Sequence, residues 1–293
     1  MVNVVGFVVI MVCVFGSFIW SGGKVGIVVE ALPHEMVAIA GASLGAFLVS
    51  NSLDTVKQAG VGIKRAFKSG KWKKESYNEL LSLLFALAHT FRTGGAVAME
   101  PHLEDPANSA IFQRFPTVAA DHHLVEFICD YFRMMTLSFE DPYQLSDAMD
   151  EDIDKHHAEE LRPQFALQTM ADGLPAIGIV AAVLGVIKTM SSINQPTEIL
   201  GAMIGGALVG TFLGVLLSYC FVGPLASKLH QVIEDDAKPF KIAKIAMIAH
   251  AQGQPPQIAA EIARRAAPSQ FAPSFLELEA ALDEVKSSLA AAR

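Results

Sequence analysis

The stretches DGLPAIGIVAAVLGVIKTM at 172–190 and GAMIGGALVGTFLGVLLSYCFVGPLA at 201–226 decide the fold, because both are apolar and almost free of charge. A helix needs about 20 mostly apolar residues to cross a bilayer. Two further stretches without Asp, Glu, Lys or Arg lie at 1–23 and 36–53. The sequence therefore predicts an all-α membrane protein with four transmembrane helices in two hairpins.

The composition of the 293 residues agrees with a membrane protein. Hydrophobic residues make up 52% of the chain and charged residues only 18%, against about 25% charged in soluble domains. A net charge of −8 argues against nucleic-acid binding, which requires a basic surface. Three separated cysteines (Cys13, Cys129 and Cys220) do not form a disulfide framework.

The distribution of basic residues predicts the orientation in the membrane. Of the 22 Lys and Arg, 12 lie in 51–170 and 8 in 223–293, and basic residues near the ends of spans stay in the cytoplasm. We expect both termini in the cytoplasm and the loops at 24–35 and 188–198 on the outer side. The predicted division is transmembrane helices 1 and 2 at 1–50, a large helical cytoplasmic domain at 51–170, transmembrane helices 3 and 4 at 171–227, and a cytoplasmic tail at 228–293.

Helical periodicity organises the cytoplasmic segments. Apolar residues recur at helical spacing in 75–91 and 121–139. In the tail, a loop rich in Pro and Gln precedes one predicted helix at 274–292.

Two motifs have a functional and a structural interpretation. Glycines repeat at four-residue spacing in 201–214, which favours close helix packing, either inside this chain or with other chains. The sequence Gly41-Ala42-Ser43-Leu44-Gly45 matches the nucleophile elbow of serine hydrolases. No histidine lies in a predicted span to act as its base, so we interpret these small residues as packing residues and expect no enzyme.

Two histidine pairs, at 122–123 and 156–157, raise the possibility of a metal site. Adjacent residues of a helix point about 100° apart, so a solvated polar face is the better interpretation, and we expect no metal. The four uncharged stretches at 1–23, 36–53, 173–187 and 199–227 contain no carboxylate or histidine. A proton carrier within the membrane would then have to come from a partner.

The stretches at 172–190 and 201–226 resemble the MotA family of flagellar stator subunits, within the MotA/TolQ/ExbB proton channel group. The resemblance extends to RTGGAVAMEPHLEDPANSAIFQRFP (92–116), MDEDIDKHH (149–157) and PSFLELEAALDEVK (273–286). It implies a homo-oligomer, a pentamer of A-subunits around a dimer of single-pass, peptidoglycan-anchored B-subunits (MotB-like). It also implies that a B-subunit aspartate carries the ion and that the cytoplasmic domain pushes on the rotor protein FliG.

The resemblance assigns roles to individual residues. Arg92 and Glu100 match the charged residues that contact the rotor, although the residues alone favour an ordinary solvated helix pair. Pro175 and Pro224 match two functional prolines, expected at the cytoplasmic ends of the third and fourth spans, where a proline at a helix terminus is equally tolerated. Thr211 matches the threonine that faces the B-subunit aspartate, unless its hydroxyl bonds the carbonyl four residues earlier.

The transported ion follows from two further positions. Sodium-driven relatives have Thr where this chain has Ala182 and Gly210, and Na⁺ needs several oxygen ligands. The resemblance therefore implies a proton-conducting stator subunit without cofactor, multi-pass in the bacterial inner membrane. The alternative is an energiser of outer-membrane systems related to ExbB and TolQ, but those proteins have one span, not two, before the large cytoplasmic segment.

Overall fold

The computed structural model describes residues 2–68, 70–137 and 141–291, and every regular element among them is helical. The described residues contain eleven α-helices, a 3₁₀ turn at Phe112–Arg114 and a π-helix at Ser218–Val222. The α-helices are α1 (Val2–Trp20), α2 (Val25–Ser50), α3 (Leu53–Ala66), α4 (Lys74–Glu104), α5 (Pro116–Ala119), α6 (His122–Thr136), α7 (Pro142–Met190), α8 (Thr197–Leu217), α9 (Gly223–Ala251), α10 (Pro256–Arg264) and α11 (Phe275–Ala291). The predicted all-α fold is confirmed.

The chain divides into two compact units. Unit 1 comprises Met1–Ser69 and Glu160–Val232, and unit 2 comprises Gly70–Glu159 and Ile233–Arg293. Helices α7 and α9 contribute residues to both units. The four segments predicted from hydropathy and charge describe membrane topology rather than compactness, and they stay a prediction.

Unit 1 contains apolar helices that pack on one another along small residues. Its core is formed by Ile39 of α2, Leu174 and Ala181 of α7, and Val209 and Leu213 of α8. Helix α1 joins this group through an edge-to-face contact of Phe15 and Phe212, with ring centroids 5.9 Å apart.

The second apolar helix begins earlier than the sequence predicts. The apolar stretch starts at Met36, yet α2 starts at Val25, so residues predicted to form an outer loop are helical. Glu30 and Glu35 lie before the uncharged stretch, but the helix includes both of them because glutamate is a good helix former. Only Ser21–Lys24 connects α1 and α2.

Within the described residues, four helical stretches are long and apolar enough to cross a membrane: Val25–Ser50, Lys74–Glu104, Pro142–Met190 and Thr197–Ala251. The last of these joins α8, the π-helix and α9. The apolar character of α4 (Lys74–Glu104) has another explanation, since Leu80, Leu84 and Leu87 are buried in the core of unit 2. Helix α1 is shorter but apolar throughout. Composition alone therefore does not separate a membrane span from a core helix.

Unit 2 is a helical unit built around α4. The predicted helices at 75–91, 121–139 and 274–292 correspond to α4, α6 and α11. Helix α10 lies in the segment predicted as a loop rich in Pro and Gln, so that part of the prediction is wrong. Pro256 occupies the first turn of α10, where proline is tolerated, and Ala259, Ala260 and Ala263 are buried.

Candidate functional site

Helices α7 and α8 approach so closely that glycine is required on both; we call this contact, formed by Gly178 and Gly185 with Ala207, Gly210 and Gly214, the α7–α8 seam. A Cβ atom added at Gly178 would lie 2.8 Å from the Gly210 carbonyl oxygen and 3.0 Å from the Gly214 Cα. A Cβ atom at Gly185 would lie 2.6 Å from the Ala207 Cβ. The two backbones are therefore in contact, as in other small-residue membrane interfaces.

Helix α2 packs on the side of α8 next to the α7–α8 seam, and helices α2 and α8 run in the same direction. Cβ atoms added at Gly205, Gly206 and Gly210 would meet Ile27 at 3.2 Å, Ala31 at 3.7 Å and Glu35 at 2.6 Å, respectively. The glycine repeat of α8 thus packs inside this chain along most of its length. Gly201, at the start of the repeat, has no neighbour within 4 Å. This pattern favours the first of the two interpretations of the repeat.

Gly210 and Ala182 lie together where α2, α7 and α8 meet. Gly210 is buried and Ala182 is half-buried. A Cβ atom at Gly210 would lie 3.2 Å from both the Ala182 amide nitrogen and the Ala181 Cβ, in addition to the Glu35 contact. A threonine at 210 would need the helices or Glu35 to move. Lack of space is therefore a second reason, besides the ion, for glycine at this position.

Thr211 offers a hydroxyl that the described chain does not use. Its side chain is half-buried near the middle of α8 and makes no hydrogen bond to any described residue. The hydroxyl of Thr189, in contrast, donates to the Gly185 carbonyl at 2.9 Å. The alternative that Thr211 bonds the carbonyl four residues earlier is not observed. Its hydroxyl can therefore donate to a carboxylate or accept from water.

Both predicted prolines lie inside continuous helical stretches, so the expectation of helix termini is wrong. Helix α7 passes through Pro175, and the nearby Asp172 accepts a hydrogen bond from Gln168 Nε2 at 2.8 Å. Without an N–H, Pro175 leaves the Ala171 carbonyl without its helical donor. Close helix packing compensates for such freed groups in membrane helices, which explains why the helix continues.

Pro224 is the second residue of α9 and follows the π-helix Ser218–Val222 directly. In this segment the Gly223 amide donates to the Ser218 carbonyl, five residues earlier. π-Helical turns of this kind insert an extra residue and occur frequently at functional sites. The position of Pro224 is therefore a local irregularity between α8 and α9, not an end of the helical stretch.

Glu35 is a functional candidate that the sequence reading missed. It lies in the continuous helix α2, beside the middle of α8, and its Oε2 is buried without a hydrogen-bond partner among the described residues. Glu35 lies just before the carboxylate-free stretch at 36–53, but α2 begins before that stretch and includes Glu35. Ionisable residues among apolar membrane helices are rare and often functional, which makes Glu35 a candidate. The spacing of Ile27, Ala31, Glu35 and Ile39 on one face of a helix was the available signal.

Arg92 and Glu100 lie on α4 in unit 2, on either side of a kink. Gly95 causes the kink because its φ of 66° lies in the left-handed region that favours glycine. Both charged side chains are exposed, and neither forms an ion pair with a described residue. This exposure agrees both with a rotor contact and with two ordinary solvated residues of a helix. Burial, and then the charge of Arg92, hold the pKa of the nearby His250 below its usual value.

The remaining motifs have structural explanations. The Ser43 hydroxyl is buried and donates to the Ile39 carbonyl of its own helix at 2.6 Å, as expected for a packing residue. His157 Nε2 lies 2.9 Å from Glu234 Oε1, and the His123 and His156 rings are tilted by 42° with centroids 5.2 Å apart. Among the described residues, no group of three or more His, Cys, Asp or Glu is arranged to hold a metal ion.

Comparisons with known proteins cover almost the whole chain. Residues 4–95 match the family described as Motility protein A N-terminal, and residues 119–241 match the MotA/TolQ/ExbB proton channel family. The chain is 37% identical to Motility protein A of Escherichia coli (strain K12), over 98% of this chain and 96% of that protein.

Two solved structures have a similar fold. The C. jejuni MotAB structure has a TM-score of 0.71 at 18% identity, covering 91% of this chain and 95% of that chain. The flagellar MotAB stator complex from Bacillus subtilis has a TM-score of 0.68 at 19% identity, covering 88% of this chain and 92% of that chain.

Proposed function

The chain belongs to the motility protein A family of flagellar stator subunits, and we propose that it is the A-subunit of a proton-driven stator in the bacterial inner membrane. In this role it is a multi-pass protein with both termini in the cytoplasm. It couples proton flow, through a complex with a B-subunit, to torque on the rotor. It acts as a transport and force-generating subunit, not as an enzyme, and needs no cofactor.

The main support for this proposal is the Thr211 hydroxyl, which has no hydrogen-bond partner among the described residues. It lies half-buried near the middle of α8, next to Gly210 of the close-packed α7–α8 seam. A carboxylate on a single-pass helix of a B-subunit would find a hydrogen-bond donor there. The exposed apolar residues of the same hairpin leave room for that helix; they include Val180, Val183, Leu184 and Ile187.

The assembly proposed is a pentamer of this chain around a dimer of B-subunits. The mostly apolar α7 and α8 expose side chains on faces that pack on no described residue. Lipid or neighbouring helices cover such faces in a membrane. Copies of this chain would surround the partner helices with α7 and α8, which makes Thr211 part of the ion pathway.

The proposed rotor surface comprises Arg92 and Glu100. Both are exposed, lie outside the apolar unit 1 and have no ion-pair partner among the described residues. Their opposite charges suit reciprocal ion pairs with a rotor protein of the FliG type, which would steer and orient the contact. The Gly95 kink sets the angle between the two helical segments that carry them.

The proposed gating elements are Pro175 and Pro224. Each interrupts the hydrogen-bond ladder of a long helix, and a π-helix precedes Pro224. Interrupted ladders are sites where helices bend. We expect substitutions of either proline to change gating rather than assembly.

A proton as the transported ion agrees with the crowding at Gly210. Ala182 and Gly210 offer no side-chain oxygen, and the space beside Gly210 is already filled by Glu35 and the backbone of α7. Na⁺ needs several oxygen ligands to replace its hydration shell, whereas a proton needs only a carboxylate and water.

The alternative function is energising an outer-membrane system in the manner of ExbB and TolQ. The channel family matched by residues 119–241 includes those proteins. The match of residues 4–95 to Motility protein A N-terminal favours the stator. Deleting the gene should therefore abolish swimming and leave outer-membrane uptake unchanged.

The test of the proposed function is the energy source of swimming in cells that depend on this chain. Swimming speed should not change with Na⁺ concentration at fixed ionic strength, and a protonophore should stop swimming. A speed that rises steeply with Na⁺ would show that the ion is sodium. Normal swimming after deletion of the gene would refute the stator function itself.

A further inference from the structure

Glu35 is a carboxyl group among apolar helices, and the function proposed above assigns it no role. It lies on the stripe of α2 that faces α8, one helical turn beyond Ala31. Its Oε2 is buried and has no hydrogen-bond partner in the described part of the chain. Ionisable residues inside membrane helices are rare and mark ion and proton routes.

The surroundings of Glu35 leave its Oε2 unsatisfied. A Cβ atom added at Gly210 would lie 2.6 Å from this oxygen. The same Cβ atom would lie 3.2 Å from both the Ala181 Cβ and the Ala182 amide nitrogen. The residues of α7 and α8 that border this point have no titratable side chain. His34, the preceding residue of α2, is the titratable neighbour, and it is exposed. Binding of a proton would remove the negative charge that these neighbours leave without a partner.

We propose that Glu35 is a proton-binding residue of the ion pathway, an acid supplied by this chain in addition to the one expected from the B-subunit. This inference rests on the proposed stator function. A proton from water on the outer side bonds to Oε2, and it later leaves to water on the cytoplasmic side. The carboxylate is thereby regenerated, and the step needs no other reactant.

The position in the fold connects Glu35 with Thr211. Glu35 lies against Gly210, and Thr211 is the next residue of α8. The proton-binding oxygen of α2 therefore lies beside α8 at about the level of the free Thr211 hydroxyl. A proton held at Glu35 is therefore at the same level of α8 as Thr211, where the partner carboxylate is proposed to exchange its own.

The first test compares Glu35→Gln with Glu30→Gln in cells that co-express the B-subunit freed of any plug. Gln keeps the size of Glu but cannot release a proton, and Glu30 is an exposed glutamate of the same helix. We expect Glu35→Gln to slow cytoplasmic acidification per assembled complex by about tenfold or more, since it removes a proton-transfer group. Glu30→Gln should behave as the unmodified protein, and Glu35→Asp should retain part of the flow.

The second test moves the carboxyl group without changing it. The Cβ of Gly210→Ala would lie 2.6 Å from Oε2, whereas that of Gly206→Ala meets the Ala31 Cβ at 3.7 Å, an ordinary contact. Gly210→Ala should slow acidification and Gly206→Ala should not. In the Glu35→Gln background, Gly210→Ala should add little further loss, because both changes act on the same group.

The outcomes distinguish failure of the proposed role of Glu35 from failure of the proposed stator function. Equal acidification per complex by Glu35→Gln and the unmodified pair overturns the role of Glu35 and leaves the stator function intact. No acidification and no motility from the unmodified pair overturns the proposed function. If Glu35→Gln fails to assemble, Gly210→Ala is compared with Gly185→Ala, which crowds Ala207 of the same seam at 2.6 Å without a contact to Glu35. Equal acidification by the two variants overturns the inference, and slower acidification by Gly210→Ala supports it.

Discussion

Replacement of Gly214 by alanine should loosen the hairpin of α7 and α8. An added Cβ would lie 2.7 Å from the Leu174 carbonyl oxygen and 2.8 Å from the Gly178 Cα. Both neighbours are backbone atoms, so no side-chain rotation relieves the contact. Carbon atoms pack best at about 3.5–4.0 Å, so the two helices would have to separate by about 0.7 Å.

The expected cost follows from comparison with Gly201→Ala. Overpacking of this kind costs about 1–3 kcal/mol. Gly201 lies in the same helix with no neighbour within 4 Å, so its replacement changes only helix propensity, by about 0.8–1.0 kcal/mol in favour of alanine. That gain applies to both variants and cancels in the difference. Gly214→Ala should therefore be about 1–3 kcal/mol less stable than Gly201→Ala.

The assay is thermal unfolding of the two purified variants, each in complex with the B-subunit in the same detergent. A loss of 1 kcal/mol lowers the Tm of a domain of 150–250 residues by about 2–4 °C, so the variants should differ by about 2–12 °C. Gly214→Ala should also conduct protons more slowly, because the α7–α8 seam borders the proposed pathway. Equal Tm values for the two variants would refute the backbone contact at Gly178 and Gly214.

Further predictions concern single sites. Arg92→Glu combined with Glu100→Lys should abolish swimming at unchanged membrane levels, and matching charge reversals on FliG should partly restore it; full motility of the double variant would remove both residues from the rotor contact. Thr211→Val should reduce the proton leak while the complex still assembles, and an undiminished leak would show that the hydroxyl is not used. Because the pKa of His250 lies below its reference of 6.5, the stability of unit 2 should be complete above that pH and decline below it. His250→Gln should flatten this decline in unfolding measurements between about pH 7.5 and 5.5, and an unchanged slope would contradict the assignment. Pro224→Ala should alter the leak of the idle complex but not the amount assembled, and loss of assembly would assign the proline a structural role instead.

Local physical signals in the sequence predicted the helical fold and most of its elements. Uncharged apolar stretches indicated α1, α8 and parts of α2 and α7, because a helix needs about 20 mostly apolar residues to cross a bilayer. Helical periodicity indicated α4 and α6. These signals act within one element, which is why they could be read without a structure.

The continuity of the long helices could not be predicted in the same way. Proline ordinarily ends a helix, so Pro175 was expected at a terminus, yet α7 continues through it for 49 residues in all. What preserves the helix is packing against α8, a contact between segments that lie apart in sequence. The backbone contact of Gly178 with Gly214 could not be predicted from the sequence for the same reason.

Glu35 shows how a hydropathy reading fails at a functional candidate. Acidic residues mark the end of an apolar stretch, so the second span was expected to begin at Met36 and Glu35 to lie outside it. The helix instead extends to Val25 and places Glu35 against Gly210. An acid on the buried stripe of an otherwise apolar helix cannot be distinguished from a loop residue until the neighbouring helix is known.

Cytoplasmic pH in cells that express this chain, with and without its B-subunit, tests the central claim most directly. Charge movement through a hydrocarbon layer of about 30 Å requires a continuous series of relay groups or water. Glu35 is one such group, and a single carboxyl does not form a pathway. The account predicts unchanged pH for this chain alone and acidification when it is expressed with a B-subunit freed of any plug. A leak from this chain alone that matches the leak of the pair would contradict the account, because the pathway would then lie entirely within these helices.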